Sequence, residues 1–549
     1  MNSQNHLEPS ESSSQFSERP NIFQVGSRSY PVNLRSGIDA RLTRSWHSAP
    51  GRREVVVPLR PVPRSFDGAT FRNLNDTRTF GGIERPPRPD LPTTDDFENL
   101  TTFLREWQRT NAQQKPHVTA FVNSRSGGQT GELLMRALKE SIGARDGSSA
   151  CTGEVCDLSL PEEPNRTIDM LAQNLDRRPV LRRLLVCGGD GTVTWILTAL
   201  EQCQELAGKH HLLPVAIVPL GTGNDLARSL GWGGSLRAVS DILQYLRWIV
   251  DATPVKLDQW RVLIRPHERL ENHKLQSAGS HPQLVLDQAL AVQSRGDIAQ
   301  ALGDEVPGAC QDVFIGFWQN YFSIGIDAKV ARFVDIARSE TKCGQSCFRN
   351  GCGKVCYAWQ GIRKGCCHPL LTPAIERLRF LHPDESTDSL DDLQPPLQDR
   401  SVDGGRGRLR QLMLVNINSY GAGLDVLPPD DRAVSPPSPS DGILEVLGLR
   451  NALASLGLFA RLRRPTYLTS TRAVAFRLLS GEYMQLDGEP WKLPVGSDIL
   501  VEKHRELTML CAPKEAPFWK GQATPDFWES VDIQPSRVPG GVAMSSPVP

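Results

Sequence analysis

Three times between residues 118 and 228 a short apolar run breaks into a turn and then into a helix-spaced apolar stripe. This serial pattern constrains the fold more than any other feature of the chain. Val118-Thr119-Ala120-Phe121-Val122 leads into Asn123-Ser124-Arg125-Ser126-Gly127-Gly128, then Leu133, Leu134, Ala137 and Leu138. Leu184-Leu185-Val186-Cys187 leads into Gly188-Gly189-Asp190-Gly191-Thr192, then Val193, Ile196, Leu197 and Leu200. Val215-Ala216-Ile217-Val218 leads into Pro219-Leu220-Gly221-Thr222-Gly223-Asn224-Asp225, then Leu226-Ala227-Arg228. Short, nearly unbroken apolar runs suit strands covered on both faces, and the i, i+3, i+4, i+7 spacing gives a helix one stripe to pack on a sheet. The expectation is an open, Rossmann-like α/β layer with a largely parallel sheet and its ligand site at the carboxyl ends of the strands.

The turns carry the chemistry. Glycine after a strand lets the backbone bend sharply and approach a ligand closely. A helix start just beyond it offers unpaired N–H groups and a positive dipole end to phosphate. The acids and hydroxyls in the same turns can hold Mg²⁺ directly or through water. Two such turns in series suggest a nucleotide phosphate site. No GxxxxGK[ST] loop stands near them, so backbone dipoles take the place of a phosphate-binding lysine.

In order and approximate spacing, these turns resemble the catalytic domain of eukaryotic-type diacylglycerol kinases. An accessory domain of that family is resembled by Asn320-Tyr321-Phe322-Ser323-Ile324-Gly325-Ile326-Asp327-Ala328, by Asn416-Ile417-Asn418-Ser419-Tyr420-Gly421-Ala422-Gly423 and by Asp441-Gly442-Ile443-Leu444-Glu445-Val446. Leu486-Asp487-Gly488-Glu489-Pro490-Trp491 is among the more specific matches. Gly188–Thr192 alone would fit a NAD kinase or a phosphofructokinase, and a sphingoid-base or ceramide kinase shares the glycine turns; the ordered set favours diacylglycerol.

The resemblance implies a catalytic domain over 93–262, a linker or insertion over 263–310 and a β-rich accessory domain over 311–512, with the active cleft between the two domains. It implies transfer of the γ-phosphoryl group of ATP to the free hydroxyl of 1,2-diacylglycerol. Asn123, Ser126, Gly127 and Gly128, then Gly188, Gly189, Gly191 and Thr192, then Gly221, Thr222, Gly223 and Asn224 would line the nucleotide. Asp487 resembles the family's proposed general base. Asp190 and Glu489 would organise Mg²⁺ and phosphate, and Asp225 is a further metal candidate or a helix N-cap. Asp487-Gly488 also reads as a plain hairpin turn. A catalytically dead ATP-binding scaffold is the non-enzyme alternative; the intact acids argue against it.

Composition sets outer limits. The formal net charge is zero, which gives no global attraction to nucleic acid or anionic membrane. No apolar stretch is long enough to span a bilayer, and the polar start from Met1 to Pro20 lacks the apolar core of a secretory signal. The twelve cysteines then read as reduced thiols, in a cytoplasmic protein that meets its lipid peripherally at membranes. Residues 1–92 read as a disordered arm rich in Ser, Pro and Arg, 384–408 as a polar insertion and 513–549 as a tail. No cysteine precedes Cys151 and no DxDxDG loop occurs, so the resemblance is to compact forms without zinc or calcium modules. The Cys343, Cys347, Cys352, Cys356, Cys366, Cys367 and His368 cluster reads as idle thiols, acylation sites or a metal site. Leu453, Leu456, Leu458, Phe459 and Leu462, interleaved with arginines, form either a basic interfacial helix or a stripe packed on the second domain.

Overall fold

The computed structural model describes residues 91–110, 116–126, 130–142, 152–175, 181–206, 208–268, 284–286, 291–304, 313–340, 359–361, 363, 369–371, 374–381, 409–427, 438–450, 458, 463–517 and 528. The 1–90 part of the arm, Gly127 and Gly128, the Cys343–Cys367 cluster, the 384–408 insertion and most of the tail lie outside the described residues.

Helix α1 (Thr94–Thr110) opens with a capping box: Thr93 Oγ1 accepts from the Asp96 N–H at 3.3 Å, and Asp96 Oδ2 accepts from the Thr93 N–H at 2.8 Å. Strand β1 (Pro116–Val122), α2 (Thr130–Ile142), β2 (Thr152–Asp157), α3 (Glu163–Asn174), β3 (Leu181–Gly188), α4 (Asp190–Gln202), β4 (Val215–Pro219), α5 (Asp225–Ser229) and α6 (Asp241–Asp251) follow. β2, β1, β3 and β4 lie side by side and parallel. The expected helix stripe Val193, Ile196, Leu197 and Leu200 is buried, as are Leu134, Ala137 and Leu138. β3 and β4 are covered on both faces, which explains why their apolar runs show no alternation.

The chain continues through β5 (Thr253–Pro266), β6 (Leu284–Leu286), α7 (Ala291–Leu302), β7 (Phe314–Trp318), β8 (Tyr321–Gly325), α8 (Ile326–Glu340), β9 (Ile375–Leu381), β10 (Gln411–Val415), β11 (Leu444–Leu449), β12 (Thr466–Thr471), β13 (Ala473–Leu478), β14 (Tyr483–Leu486), β15 (Glu489–Lys492) and β16 (Ser497–Cys511). β12, β11, β10, β8, β14 and β15 form a separate six-stranded antiparallel sheet, the expected β-rich part. β16 returns to the first sheet, where Met509 pairs parallel with Val215 of β4 and the whole strand pairs antiparallel with β5. The large sheet therefore runs without a break from the parallel layer to antiparallel β5, β7, β6, β13 and β9. Residue 262, where the sequence suggests a domain boundary, falls inside β5.

Period-two alternation along β5 decides what packs where. Val262 and Ile264 face a core shared with Phe322, Leu414, Val446 and Trp491 of the small sheet. Leu263 faces the other way, onto Ile298, Ala301 and Leu302 of α7. Part of the 263–310 interval read as a linker or insertion is thus core. Its few apolar residues were hidden in sequence behind Ser294-Arg295-Gly296-Asp297, the polar run just before them.

Candidate active site

The two glycine turns sit on adjacent strands, because β3 pairs with β4 and the Leu220 N–H donates to the Gly188 carbonyl at 2.9 Å. They are also pressed together. A Cβ on Gly221 would stand 2.6 Å from the Gly189 Cα, closer than such atoms approach, so only glycine fits this crossing. Gly189 is the N-cap of α4 and makes no side-chain cap, so only backbone stands at that helix start. The Asn123 side-chain amide donates to Thr192 Oγ1 at 3.3 Å, which brings the first turn to the second. The Ser126 N–H closes that first turn on the Asn123 carbonyl. Thr222 is exposed and Gly223 partly so, at the open side of the third turn.

Asn224 organises the third turn. Its backbone is left-handed, with φ 53°. Its side chain accepts from the Gly221 N–H at 3.0 Å and donates to the carbonyls of Gly221 and Gly234 at 2.8 and 2.9 Å. Both oxygens of Asp190 are also engaged: they accept from the N–H groups of Asp225 at 2.8 Å and Leu226 at 3.2 Å. Asp190 thereby caps α5 from the neighbouring turn. Burial, then the negative charge of Asp225, pushes its carboxyl well above the ordinary range.

Asp225 is fully buried and reaches into the other domain. Its Oδ1 accepts from Ser419 Oγ at 2.7 Å and the Gly423 N–H at 2.8 Å, and its Oδ2 from the Ala422 N–H at 3.1 Å. It is the carboxylate by which the nucleotide turn holds the 419–423 loop. Replacing Asp225 with alanine is expected to leave three donors unpaired and to cost about 3 kcal/mol or more of stability. A urea unfolding midpoint, compared with the parent's, checks this.

The carboxyl-terminal hairpin lands on the same place. β14 and β15 are joined by Asp487-Gly488 with φ 48° and 85°, positive at both positions as a tight two-residue hairpin turn requires. The hairpin turn does not exclude a part in the site, because the backbone bends while the side chain points inward. Asp487 Oδ1 accepts from the N–H groups of Asn320 and Tyr321 at 2.8 and 3.1 Å, and Oδ2 from the Gln319 N–H at 3.0 Å and from Thr194 Oγ1 of α4 at 3.2 Å. Burial raises its carboxyl to about 6 even though those donors pull the other way. Glu489, half-buried, extends to the second glycine turn, where a Cβ on Gly191 would stand 2.8 Å from its Oε1. Residues almost three hundred positions apart thus share one cleft wall (Thr194 and Asp487 are separated by 293).

The match to known proteins follows the same two halves. The family description "diacylglycerol kinase catalytic domain" matches residues 117–255, and "diacylglycerol kinase accessory domain" matches 317–490. Diacylglycerol kinase 5 of Arabidopsis thaliana is 30% identical over 69% of this chain and 74% of its own length. The chain belongs to the diacylglycerol kinase family of enzymes. Diacylglycerol kinase 7 of the same plant is 29% identical over 70% of this chain and 78% of its own length. Diacylglycerol kinase theta of Mus musculus is 30% identical over 61% of this chain, but only 30% of that longer protein is covered.

Several residues gathered here in this diacylglycerol kinase have no role assigned by sequence reasoning. Thr194 and the backbone of residues 319–321 grip Asp487, and Ser419 and Gly423 grip Asp225. Gln319 and Asn320, polar residues closing the apolar run 313–318, were the available signal: both are fully buried. Of the arginine-rich leucine segment, only Leu458, Arg463 and Arg464 are described among residues 451–464. Leu458 is buried with Met413, Val415 and Leu447, as a stripe packed on the second domain would be. Arg464 pairs with Asp425 at 2.5 Å.

Proposed function

We propose that this enzyme transfers the γ-phosphoryl group of ATP to the free hydroxyl of 1,2-diacylglycerol, giving phosphatidic acid and ADP. The observation that supports this best is the landing of the Asp487–Glu489 hairpin on the glycine turns, since phosphoryl transfer needs a phosphate cradle and a proton acceptor in one place. The backbone of Gly188–Thr192 and Gly221–Asn224 binds the triphosphate, with Asn123 and Thr192 fixing the mouth of the turns. Asp487 takes the proton of the attacking hydroxyl. Its raised carboxyl suits it to accept a proton near neutral pH, three backbone N–H donors hold it in a fixed direction, and the Thr194 hydroxyl, which can donate to the Asp190 carbonyl or to Gln319 Oε1 instead, leaves room on Oδ2 for that proton.

Magnesium fits this donor set in one form only. Among the described residues no group of three or more His, Cys, Asp or Glu gathers to hold a metal, and both oxygens of Asp225 already accept hydrogen bonds from the 419–423 loop. A magnesium ion carried on the nucleotide phosphates and completed by water suits Glu489 as a neighbour, with Asp190 reached through water because both its oxygens already cap α5, and Asp225 is better employed in joining the domains. The ion would supply positive charge against the charge developing on the transferring group.

In this reading the lipid is met peripherally at the membrane surface. Among the described residues no helix is long and apolar enough to cross a membrane. The test is an assay with γ-labelled ATP over diacylglycerol, ceramide and a sphingoid base in detergent micelles. The proposal requires labelled phosphatidic acid as the dominant product. Label mainly on ceramide or sphingoid base, or on no lipid while ATP still binds, would overturn it.

A further inference from the structure

Tyr321 presents an unpaired hydroxyl at the centre of the site. The residue is only 4% exposed, and its backbone is tied to the proposed base in both directions: the Asp487 N–H donates to its carbonyl at 3.0 Å, and its own N–H donates to Asp487 Oδ1 at 3.1 Å. Its side chain runs alongside the same hairpin, so that a Cβ on Gly488 would stand 3.3 Å from the phenolic oxygen. Buried tyrosines ordinarily find a partner for that oxygen. The neighbouring Tyr420, its ring tilted against that of Tyr321 with centroids 4.5 Å apart, does so through Asp327. Tyr321 Oη has no hydrogen-bond partner among the described residues, and it is not among the fully enclosed unpaired atoms such as Trp260 Nε1 and Trp318 Nε1, so it keeps an opening to solvent.

We infer that the Tyr321 hydroxyl is a substrate-binding donor that orients the acceptor lipid, by hydrogen-bonding the ester carbonyl nearest the reacting hydroxyl. The inference rests on the diacylglycerol kinase reading above. The choice of carbonyl follows from acceptor strength at the reacting centre. The attacking oxygen gives its proton to Asp487 and a lone pair to phosphorus, and the strongest remaining acceptor near it is the carbonyl oxygen of the ester carried on the adjoining carbon, so a donor beside Asp487 is matched to that group. The phenol is suited to donate rather than ionise: burial, and then the carboxylate of Asp225, drive its titration well above the ordinary tyrosine range, with Asp190 and Asp487 adding to the effect. A neutral donor beside several acids also avoids competing with the phosphate turns for the nucleotide.

The test crosses one variant with one substrate change in the full-length enzyme. Tyr321→Phe removes a single oxygen and keeps the ring packed among Met413, Val415 and Tyr420, so thermal stability should match the parent's. Transfer to 1,2-diacylglycerol, measured as kcat/KM for lipid in micelles, is expected to fall by about 10- to 100-fold, the loss of one good hydrogen bond in a desolvated site. The KM for ATP and the slow hydrolysis of ATP without lipid should not change. With an ether-linked dialkylglycerol, which has the hydroxyl but no ester carbonyl, parent and variant should be equally slow. A variant within twofold of an active parent on diacylglycerol overturns the inference. So does an equal loss of lipid-free ATP hydrolysis, which would assign the hydroxyl to the phosphoryl group, or a full loss on the ether lipid as well. A parent inactive on diacylglycerol would instead sink the kinase reading itself, and this inference with it.

Discussion

Asp487→Asn is expected to lower diacylglycerol phosphorylation by about 10²- to 10⁴-fold, the range for losing a positioned general base, with ATP affinity nearly unchanged. The amide keeps the shape of the side chain and one accepting oxygen for the 319–321 backbone, but it cannot take a proton. The same residue sets the pH dependence. Its carboxyl is raised to about 6 in the folded protein, chiefly by burial, so it is protonated below that value and ionised above it. Lipid phosphorylation by the parent should therefore fall as pH drops through about 6, and the Asn variant's residual rate should lack that limb. Initial rates across pH 5–8 at saturating ATP decide it. A variant retaining a tenth or more of the parent's turnover would take Asp487 out of the proton transfer.

Gly221→Ala is expected to be a strongly damaging single-methyl change in the nucleotide turns. The added carbon would meet the Gly189 Cα at 2.6 Å and Asn224 Oδ1 at 2.7 Å. One obstacle is backbone and the other is a side chain with both ends bonded, so neither can yield cheaply. The turns must move apart, and ATP affinity should fall by about 10- to 100-fold, the binding equivalent of a local overpacking cost of a few kcal/mol. Gly191→Ala makes a useful contrast. Its methyl meets Glu489 Oε1 at 2.8 Å, the end of a flexible side chain, so ATP affinity should suffer less. Calorimetric titration of ATP into each variant measures the order.

Local chemistry was legible in the sequence; long-range partnership was not. The strand, glycine turn and helix of residues 184–200 could be read directly because period and turn chemistry agree over a short window. Asp225 shows the limit. A helix N-terminal acid after Asn224 reads as a cap or a metal ligand, whereas its oxygens are spent on Ser419, Ala422 and Gly423, some two hundred residues on. Nothing at position 225 itself records that loop. β16 escaped for a similar reason: an apolar segment at the end of the accessory match gives no sign that Met509 will pair with Val215 of the nucleotide layer. Tyr321 lies within a recognised motif, but only the fold reveals that its backbone serves Asp487 while its hydroxyl is left over.

The most direct test of the account is hydrogen–deuterium exchange of the full-length protein with and without a non-hydrolysable ATP analogue. If the glycine turns and the terminal hairpin make one site, the analogue must slow exchange in peptides covering 188–193 and 221–226 and also in the peptide covering 486–491. Protection confined to the two glycine turns, with 486–491 unchanged, would contradict it.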